Sequence, residues 1–353
     1  MGPLHGTKVI EIVGIGPGPF AGMMLADMGA EVVAVRRPGP ALIGLPVDIN
    51  RRGKLELELD LKSEEGRAKL LEHLATADAL IEGNRPGVME RLGLGPEDCW
   101  KLNPRLVYGR MTGWGQDGPL AQAAGHDLNY AALAGAIYPM GNHGEPPPVP
   151  LNLVADYGGG ALFLVVGVLA AILEARQSGQ GQVVDASMVE GASLMMSLFH
   201  SLRASGLWMD RRGTNMLDGG AHFYGCYQTS DDQFVSLGAI EPQFMQTFLE
   251  RTGLDPAWME RHMDPSAWAE LEGEVKALFA SKTRAEWETL LEGTDACFAP
   301  VLPFWDAPNH PHNQARGSFV ELEGLVQPGP APRFSRTPSE ARSARPLDDP
   351  GES

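Results

Sequence analysis

Lys8-Val9-Ile10-Glu11-Ile12-Val13, Gly14-Ile15-Gly16-Pro17-Gly18-Pro19, Phe20 to Met28, then Glu31-Val32-Val33-Ala34-Val35: this opening stretch decides the fold class. Its first run is short and apolar and reads as a buried strand, followed by a tight glycine–proline loop. Phe20 to Met28 reads as a helix ending at Gly29, and the second apolar run is another strand. Strand, loop, helix, strand is a βαβ unit, and it calls for a parallel sheet. The spacing also suggests a dinucleotide fold. Pro19, however, stands where the third glycine of that fingerprint belongs, and Pro17 and Pro19 lack the N–H groups that a pyrophosphate would use. The second strand runs into Arg36-Arg37-Pro38 with no acid for a ribose hydroxyl. Arginines there suit the 2′-phosphate of NADP, the 3′-phosphate of coenzyme A, or plain solvent.

Outward from this unit, strands and helices continue to alternate. Leu55-Glu56-Leu57-Glu58-Leu59 alternates strictly and reads as a half-buried strand, and a helix is expected from about Glu64 to Thr76. Ala79-Leu80-Ile81-Glu82 and Leu106 to Met111 are further strands, separated by the turn Asn84-Arg85-Pro86-Gly87 and a short helix from Val88. Arg37, Arg52, Lys62 and Arg85 flank these strands and Arg91 lies on the next helix, so several are expected on one rim of the sheet, where open α/β sheets bind ligands. Leu162 to Arg176 is almost uniformly apolar and reads as a buried helix, Gln182 to Ala186 as a strand, and Met188 to Ala204 as one helix.

From about Ser205 the character changes. Trp208 to Gly220 is loop-like, and a second domain is expected near Phe223. Its strands are Tyr224 to Thr229 and Phe234 to Gly238 around an Asp231-Asp232 turn, with helices from Pro242, Trp268 and Arg284 and a last strand at Cys297 to Val301. His310-Pro311-His312 reads as loop rather than metal site, and the proline- and glycine-rich segment from Gly324 reads as having little secondary structure. The expected division is a large domain over 1–204, a linker over 205–222, a small domain over 223–308, and a return segment over 309–353 that packs back on the large domain.

With 353 residues the chain has room for two domains, and a hydrophobic fraction of 43% with 21% charged residues is ordinary for a globular protein. A formal charge of −17 argues against nucleic acid as a partner. The longest apolar run, Ala161 to Leu173, reads as too short to span a membrane, and the N-terminus shows no basic segment followed by an apolar one; a cytoplasmic location is expected. The three cysteines, Cys99, Cys226 and Cys297, are widely spaced and outside any paired pattern, which fits a reducing compartment and argues against structural zinc.

The chemistry is expected around Gly125-His126-Asp127-Leu128-Asn129-Tyr130 and the Asp156 of Asn152-Leu153-Val154-Ala155-Asp156-Tyr157-Gly158-Gly159-Gly160. An imidazole and a carboxylate on opposite sides of a carbon can take a proton from one face and return one to the other. The same residues in a glycine-rich loop equally serve as turn or cap residues. Gly158-Gly159-Gly160 is open to two readings: amide donors for a developing oxyanion, or close packing of a helix. Met188, Met195, Met196, Met209 and Met216 read either as a flexible, adaptable apolar surface or as packing.

Taken together, Gly14 to Pro19, Asn50-Arg51-Arg52-Gly53-Lys54, Asp60-Leu61-Lys62, Asn84-Arg85-Pro86-Gly87, Gly113-Trp114-Gly115, Gly179 to Asp185 and Ala331-Pro332-Arg333-Phe334-Ser335 resemble the class III CoA-transferase (CaiB/BaiF) family over nearly the whole chain. Within it, Gly125-His126-Asp127 with Glu241 resembles the branch of racemases acting on α-methylacyl-CoA. The resemblance implies an α/β fold, with a Rossmann-like large domain on a parallel sheet and a smaller α+β domain, in a homodimer of interlocked chains. It implies His126 and Asp156 as the acid/base pair and Glu241 as the residue orienting the histidine. It implies CoA contacts at Arg37, at Leu59, Asp60, Leu61 and Lys62, at Gly83, Asn84 and Arg85, at Arg91, and along Gly125, His126, Asp127, Leu128, Asn129 and Tyr130. Arg36 stands where relatives commonly carry an acid. The implied reaction interconverts (2R)- and (2S)-2-methylacyl-CoA through an enolate, with no cofactor beyond the CoA of the substrate, no metal and no membrane or nucleic-acid partner. The alternatives are CoA transfer with Asp156 as nucleophile, a non-catalytic CoA-binding scaffold, and an NADP-dependent oxidoreductase.

Overall fold

The computed structural model describes residues 2–40 and 44–347. The chain runs β1 (Lys8–Ile12), α1 (Pro17–Asp27), β2 (Glu31–Arg36), β3 (Leu55–Glu58), α2 (Glu64–Leu74), β4 (Ala79–Glu82), α3 (Val88–Arg91), α4 (Pro96–Trp100), β5 (Val107–Thr112) and α5 (Asp127–Leu133). A π-helical segment (Leu153–Ala161) leads directly into α6 (Leu162–Ser178), followed by β6 (Val183–Ser187), α7 (Met188–Met195) and α8 (Ser197–Ala204). Then come β7 (Tyr224–Gln228), β8 (Phe234–Gly238), α9 (Pro242–Thr252), α10 (Trp268–Phe279), α11 (Arg284–Leu291), β9 (Phe298–Val301), α12 (Pro311–Arg316), β10 (Phe319–Leu322), β11 (Leu325–Pro328) and β12 (Arg345–Pro346).

Two compact units result: Met1–Ala136 with Pro150–Met196 and Pro311–Ser353, and Ile137–Val149 with Ser197–His310. These bounds depart from the sequence division in two places. Residues 137–149, expected in the larger domain, belong with the second unit because they pack on its Arg212 loop: the Arg212 guanidinium donates to the Met140 carbonyl and lies 5.5 Å from the centre of the Tyr138 ring. The expected single helix from Met188 to Ala204 breaks at Met196, where one unit gives way to the other along the chain.

The first unit is built on a seven-stranded sheet in the order β12-β3-β2-β1-β4-β5-β6, with every pairing parallel. Strand order reverses between β1 and β4, which opens a crevice beyond their carboxyl ends. Both strands are buried on both faces, as Val9, Ile10, Ala79, Leu80 and Ile81 require. Helix α1 begins at Pro17, three residues before the expected start: Pro17 at its first turn needs no N–H there, and Gly16 supplies the cap at φ 74°. At α2, Ser63 caps the helix by accepting the Gly66 N–H at 2.9 Å.

The π-helical segment and α6 form one helix over Leu153–Ser178, 26 residues with a mean hydropathy of 2.1 over its most apolar window. It is long and apolar enough to cross a membrane, which corrects the expectation drawn from Ala161 to Leu173 alone; half of that window is buried, packed on β5 and β6. The return segment is more ordered than its composition suggests. Pro311 starts α12, β10 and β11 pair as a hairpin, and β12 adds to the sheet beside β3; residues 348–353 lie outside the described residues.

The second unit carries a three-stranded antiparallel sheet, β7-β8-β9, under α9, α10 and α11. Its core is aromatic: Phe223, Phe248, Phe279 and Trp287 are fully buried, with Tyr227 stacked on Phe279 at 5.3 Å.

Candidate active site

A cavity of about 500 Å³ lies in the first unit at the crevice where the strand order reverses. Its walls are Gly14 to Pro17 after β1, Gly83 to Pro86 after β4 and Met111 to Trp114 at the end of β5, closed by Gly125, His126, Tyr130, Asp156 and Met188. The sheet topology therefore brings together the glycine–proline loop, the Asn84-Arg85-Pro86 turn and both members of the expected acid/base pair.

Each side chain is held by its local element. His126 stands at the N-cap of α5 in extended conformation, its N–H donating to Asn129 Oδ1 at 3.1 Å while its carbonyl accepts from the Asn129 and Tyr130 amides. The imidazole is thus carried on the rigid start of a helix rather than on a free loop. Tyr130 is buried one turn on, its hydroxyl donating to the Gly125 carbonyl and its ring meeting Trp114 edge-on at 4.7 Å. A β-carbon on Gly113 would lie 2.1 Å from that ring, and one on Gly125 2.6 Å, so both glycines make room for the wall that Tyr130 forms.

Asp156 sits in the π-helical segment and is partly buried. Burial and the neighbouring Asp127 carboxylate raise its pKa to about 6, against opposing contributions from Asn152 and His126. Asp127, the first residue of α5, is buried; its Oδ2 accepts the amides of both Ala155 and Asp156 at 2.7 Å. Gly16 faces the Asp156 carboxyl from across the crevice, its would-be β-carbon 3.1 Å from Oδ2.

The glycines of Gly158-Gly159-Gly160 lie inside the π-helical segment, so their amides belong to its internal hydrogen bonding, and they serve packing. A β-carbon on Gly159 would lie 2.5 Å from the Ala192 nitrogen, and one on Gly191 would lie 1.8 Å from the Gly159 carbonyl oxygen, so this segment and α7 meet backbone to backbone. The methionines divide between the two readings: Met188 lines the cavity, whereas Met216 packs on the aromatic core of the second unit.

Other expected ligand residues lie outside the cavity wall. Arg37 follows β2, Leu59 to Lys62 follow β3 and Arg91 ends α3, so all belong to the carboxyl-end side of the sheet. Arg37, Asp60, Lys62 and Arg91 are exposed, while Leu59 and Leu61 pack on the core beneath them; Arg85, also exposed, is part of the wall. On α5, Leu128 and Asn129 are exposed and are not part of the wall. Glu241 caps α9 in the second unit, exposed, where its charge helps raise the Cys297 thiol pKa after burial.

Arg52 is not on the ligand rim. Its guanidinium is buried in a bidentate pair with Asp27, as close as 2.6 Å, and reaches Gln327 Oε1 at 3.1 Å. Lys54 is likewise buried, 2.5 Å from Glu11 Oε2 and 2.9 Å from the Pro19 carbonyl. The sequence shows a basic block; the counter-charges lie 25 and 43 residues away and no local spacing reveals them. At the end of β4, one residue before the cavity-lining Gly83, burial raises the Glu82 pKa to about 7, with the Asn84 amide and Arg110 working against the rise.

Comparison with known proteins agrees with this architecture. Residues 4–349 match the model of CoA-transferase family III. The chain is 47% identical to the α-methylacyl-CoA racemase of Mus musculus and 45% identical to that of Homo sapiens, in each case over 95% of this chain and 87% of the relative. A crystal structure of a CaiB/BaiF family protein from Brucella suis superposes with a TM-score of 0.82 over 98% of this chain and 97% of that one, at 24% identity, and so shares the fold. A switch-point cavity lined by the family's glycine–proline loop, in a chain matched from residue 4 to residue 349, makes this protein a member of CoA-transferase family III.

Proposed function

We propose that the chain is an α-methylacyl-CoA racemase, interconverting (2R)- and (2S)-2-methylacyl-CoA by two-base proton transfer. The supporting observation is that His126 and Asp156 line one cavity in surroundings that let Asp156 hold a proton to about pH 6. The thioester carbonyl makes the α-proton acidic because the carbanion delocalises into it as an enolate. In one direction neutral His126 takes the proton from one face and protonated Asp156 delivers its own to the other; in the reverse direction the imidazolium delivers and the Asp156 carboxylate accepts. The pair holds one transferable proton before and after the reaction and two while the enolate exists: a C–H bond breaks on one face, the O–H or imidazolium N–H of the acid breaks on the other, and a new C–H forms, so no proton is gained or lost overall.

CoA is part of the substrate. Arg37, Lys62, Arg85 and Arg91 are the proposed partners of its phosphates, with Leu59 to Lys62, Gly83 to Arg85 and Gly125 to Tyr130 along its length. Glu241 keeps the orienting role toward His126 that the family motif gives it. The working form is a homodimer; the ridge of Leu162, Val166 and Leu173 on α6, 42%, 67% and 62% exposed, supports a second copy as its cover.

Proton NMR of (2R)-2-methylacyl-CoA with the enzyme in D2O, with no free acid added, tests the reading. Loss of the α-proton signal with appearance of the 2S epimer is expected. No exchange, followed by CoA transfer once a carboxylic acid is supplied, would move the chemistry to Asp156 as nucleophile.

A further inference from the structure

We propose that the Asp127 side chain is the positioning residue of the acid/base pair: one of its oxygens fixes the backbone that carries Asp156, and its charge keeps the catalytic proton on the pair. The inference rests on the racemase reading for its meaning, but its physical content is a coupling between two carboxyl groups that can be read without substrate.

The geometry is specific. Asp127 Oδ2 accepts from two successive amides, those of Ala155 and Asp156, both at 2.7 Å. Those amides open the π-helical segment, so the start of α5 is tied directly to the segment holding Asp156. Because His126 immediately precedes Asp127, one two-residue step carries the imidazole and, through the clamp, the height of the opposing carboxyl. The other oxygen, Asp127 Oδ1, is buried with no hydrogen-bond partner among the described residues. Two amide bonds would be satisfied equally by an asparagine oxygen. A carboxylate with one oxygen left bare is what a device needs if its charge, and not only its acceptor, acts on a neighbour.

The ionisable groups around Asp156 can be named element by element. Helix α5 contributes His126, Asp127 and Tyr130, and the phenol feels the Asp156 charge in turn, with Arg85 opposing. Helix α1 brings only Asp27, already paired with Arg52, and α7 brings only Glu190. On the neighbouring strands Arg110 pairs with Glu90, and Asp185 accepts from the Gln116 amide. Helix α6 carries its charges, Glu174 and Arg176, in its last two turns. Asp127 is the acid bonded to the segment itself.

Asp127→Asn in the full-length protein separates charge from clamp. Asp156 titration is followed by its carboxyl infrared band, as wild type minus Asp156→Asn and as Asp127→Asn minus the double variant. In the Asp127→Asn background the midpoint is expected to fall by about one pH unit. The high-pH limb of kcat/KM should move the same way for both epimers. Asp127→Ala, which also removes the clamp, should lower kcat on the order of 100-fold. An unchanged Asp156 midpoint in Asp127→Asn overturns the proposal, as does a variant whose only change is a lower unfolding midpoint. Were wild type to show no α-proton exchange while the midpoint still moved, the racemase reading would fail and the carboxyl coupling would stand.

Discussion

Asp156 makes its pH behaviour a folding property as well as a catalytic one. Its ordinary pKa of 3.8 is raised to about 6 in the folded chain. Below the ordinary value the carboxyl is protonated in folded and unfolded chains alike and contributes nothing to pH dependence. Between about 4 and 6 the folded form keeps a proton that the unfolded form has released, so stability falls as pH rises through that window. Asp156→Asn removes the effect. Denaturant midpoints measured from pH 4 to 7 should show wild type losing stability relative to Asp156→Asn as pH rises; parallel curves would show that the site does not strain the carboxylate. Gly16 belongs to the same device, since its φ of 74° and the 3.1 Å approach to the carboxyl oxygen leave that position to glycine.

At the scale of elements, the junction of the π-helical segment with α7 sets how well the site holds its shape. Gly159 and Gly191 face each other with no side chain between the backbones. Gly159→Ala is expected to cost about 1–3 kcal/mol through overpacking and, because the same segment carries Asp156, to lower kcat more than it raises KM. Urea unfolding with steady-state kinetics on the one variant checks both, and unchanged kinetics in a destabilised protein would separate packing from catalysis. This junction also shows where the sequence ceased to be legible. The opening βαβ unit, the strand at Leu55 and the helix from Glu64 could be read because apolar period, proline and serine caps agree with tertiary placement. Gly158-Gly159-Gly160 argues locally against helix interior, and only the approach of α7 makes glycine the residue that fits. Arg52 misled for a related reason, since a buried charge looks the same in sequence as a solvated one. Strand β12, two residues long and ending in proline, has no periodicity to detect. His126 and Asp156 were legible as chemistry; the tie between them through Asp127 was not, because it is a contact of one carboxylate with two amides 28 and 29 residues away.

For the whole molecule, the apolar ridge of α6 gives the proposed self-association a direct test. Val166→Asp places a charge at its centre without touching the cavity wall. Sedimentation velocity is expected to show the shift from dimer to monomer, with the far-ultraviolet dichroism of a folded chain retained. An unchanged sedimentation coefficient would remove this ridge from the interface. A different consequence follows from the way the large sheet is completed. Strand β3 takes its outer partner from Arg345 and Pro346, and the Gly53 amide is met by the Arg342 carbonyl, while residues 137–149 and 197–310 between them form a compact unit of their own. On the ribosome, then, β3 emerges with an open edge and keeps it while nearly three hundred further residues are made. The backbone that a neighbouring nascent chain could capture is the one that Arg345 and Pro346 finally cover, so a segment made long after β3 acts as the sheet's own protection against aggregation.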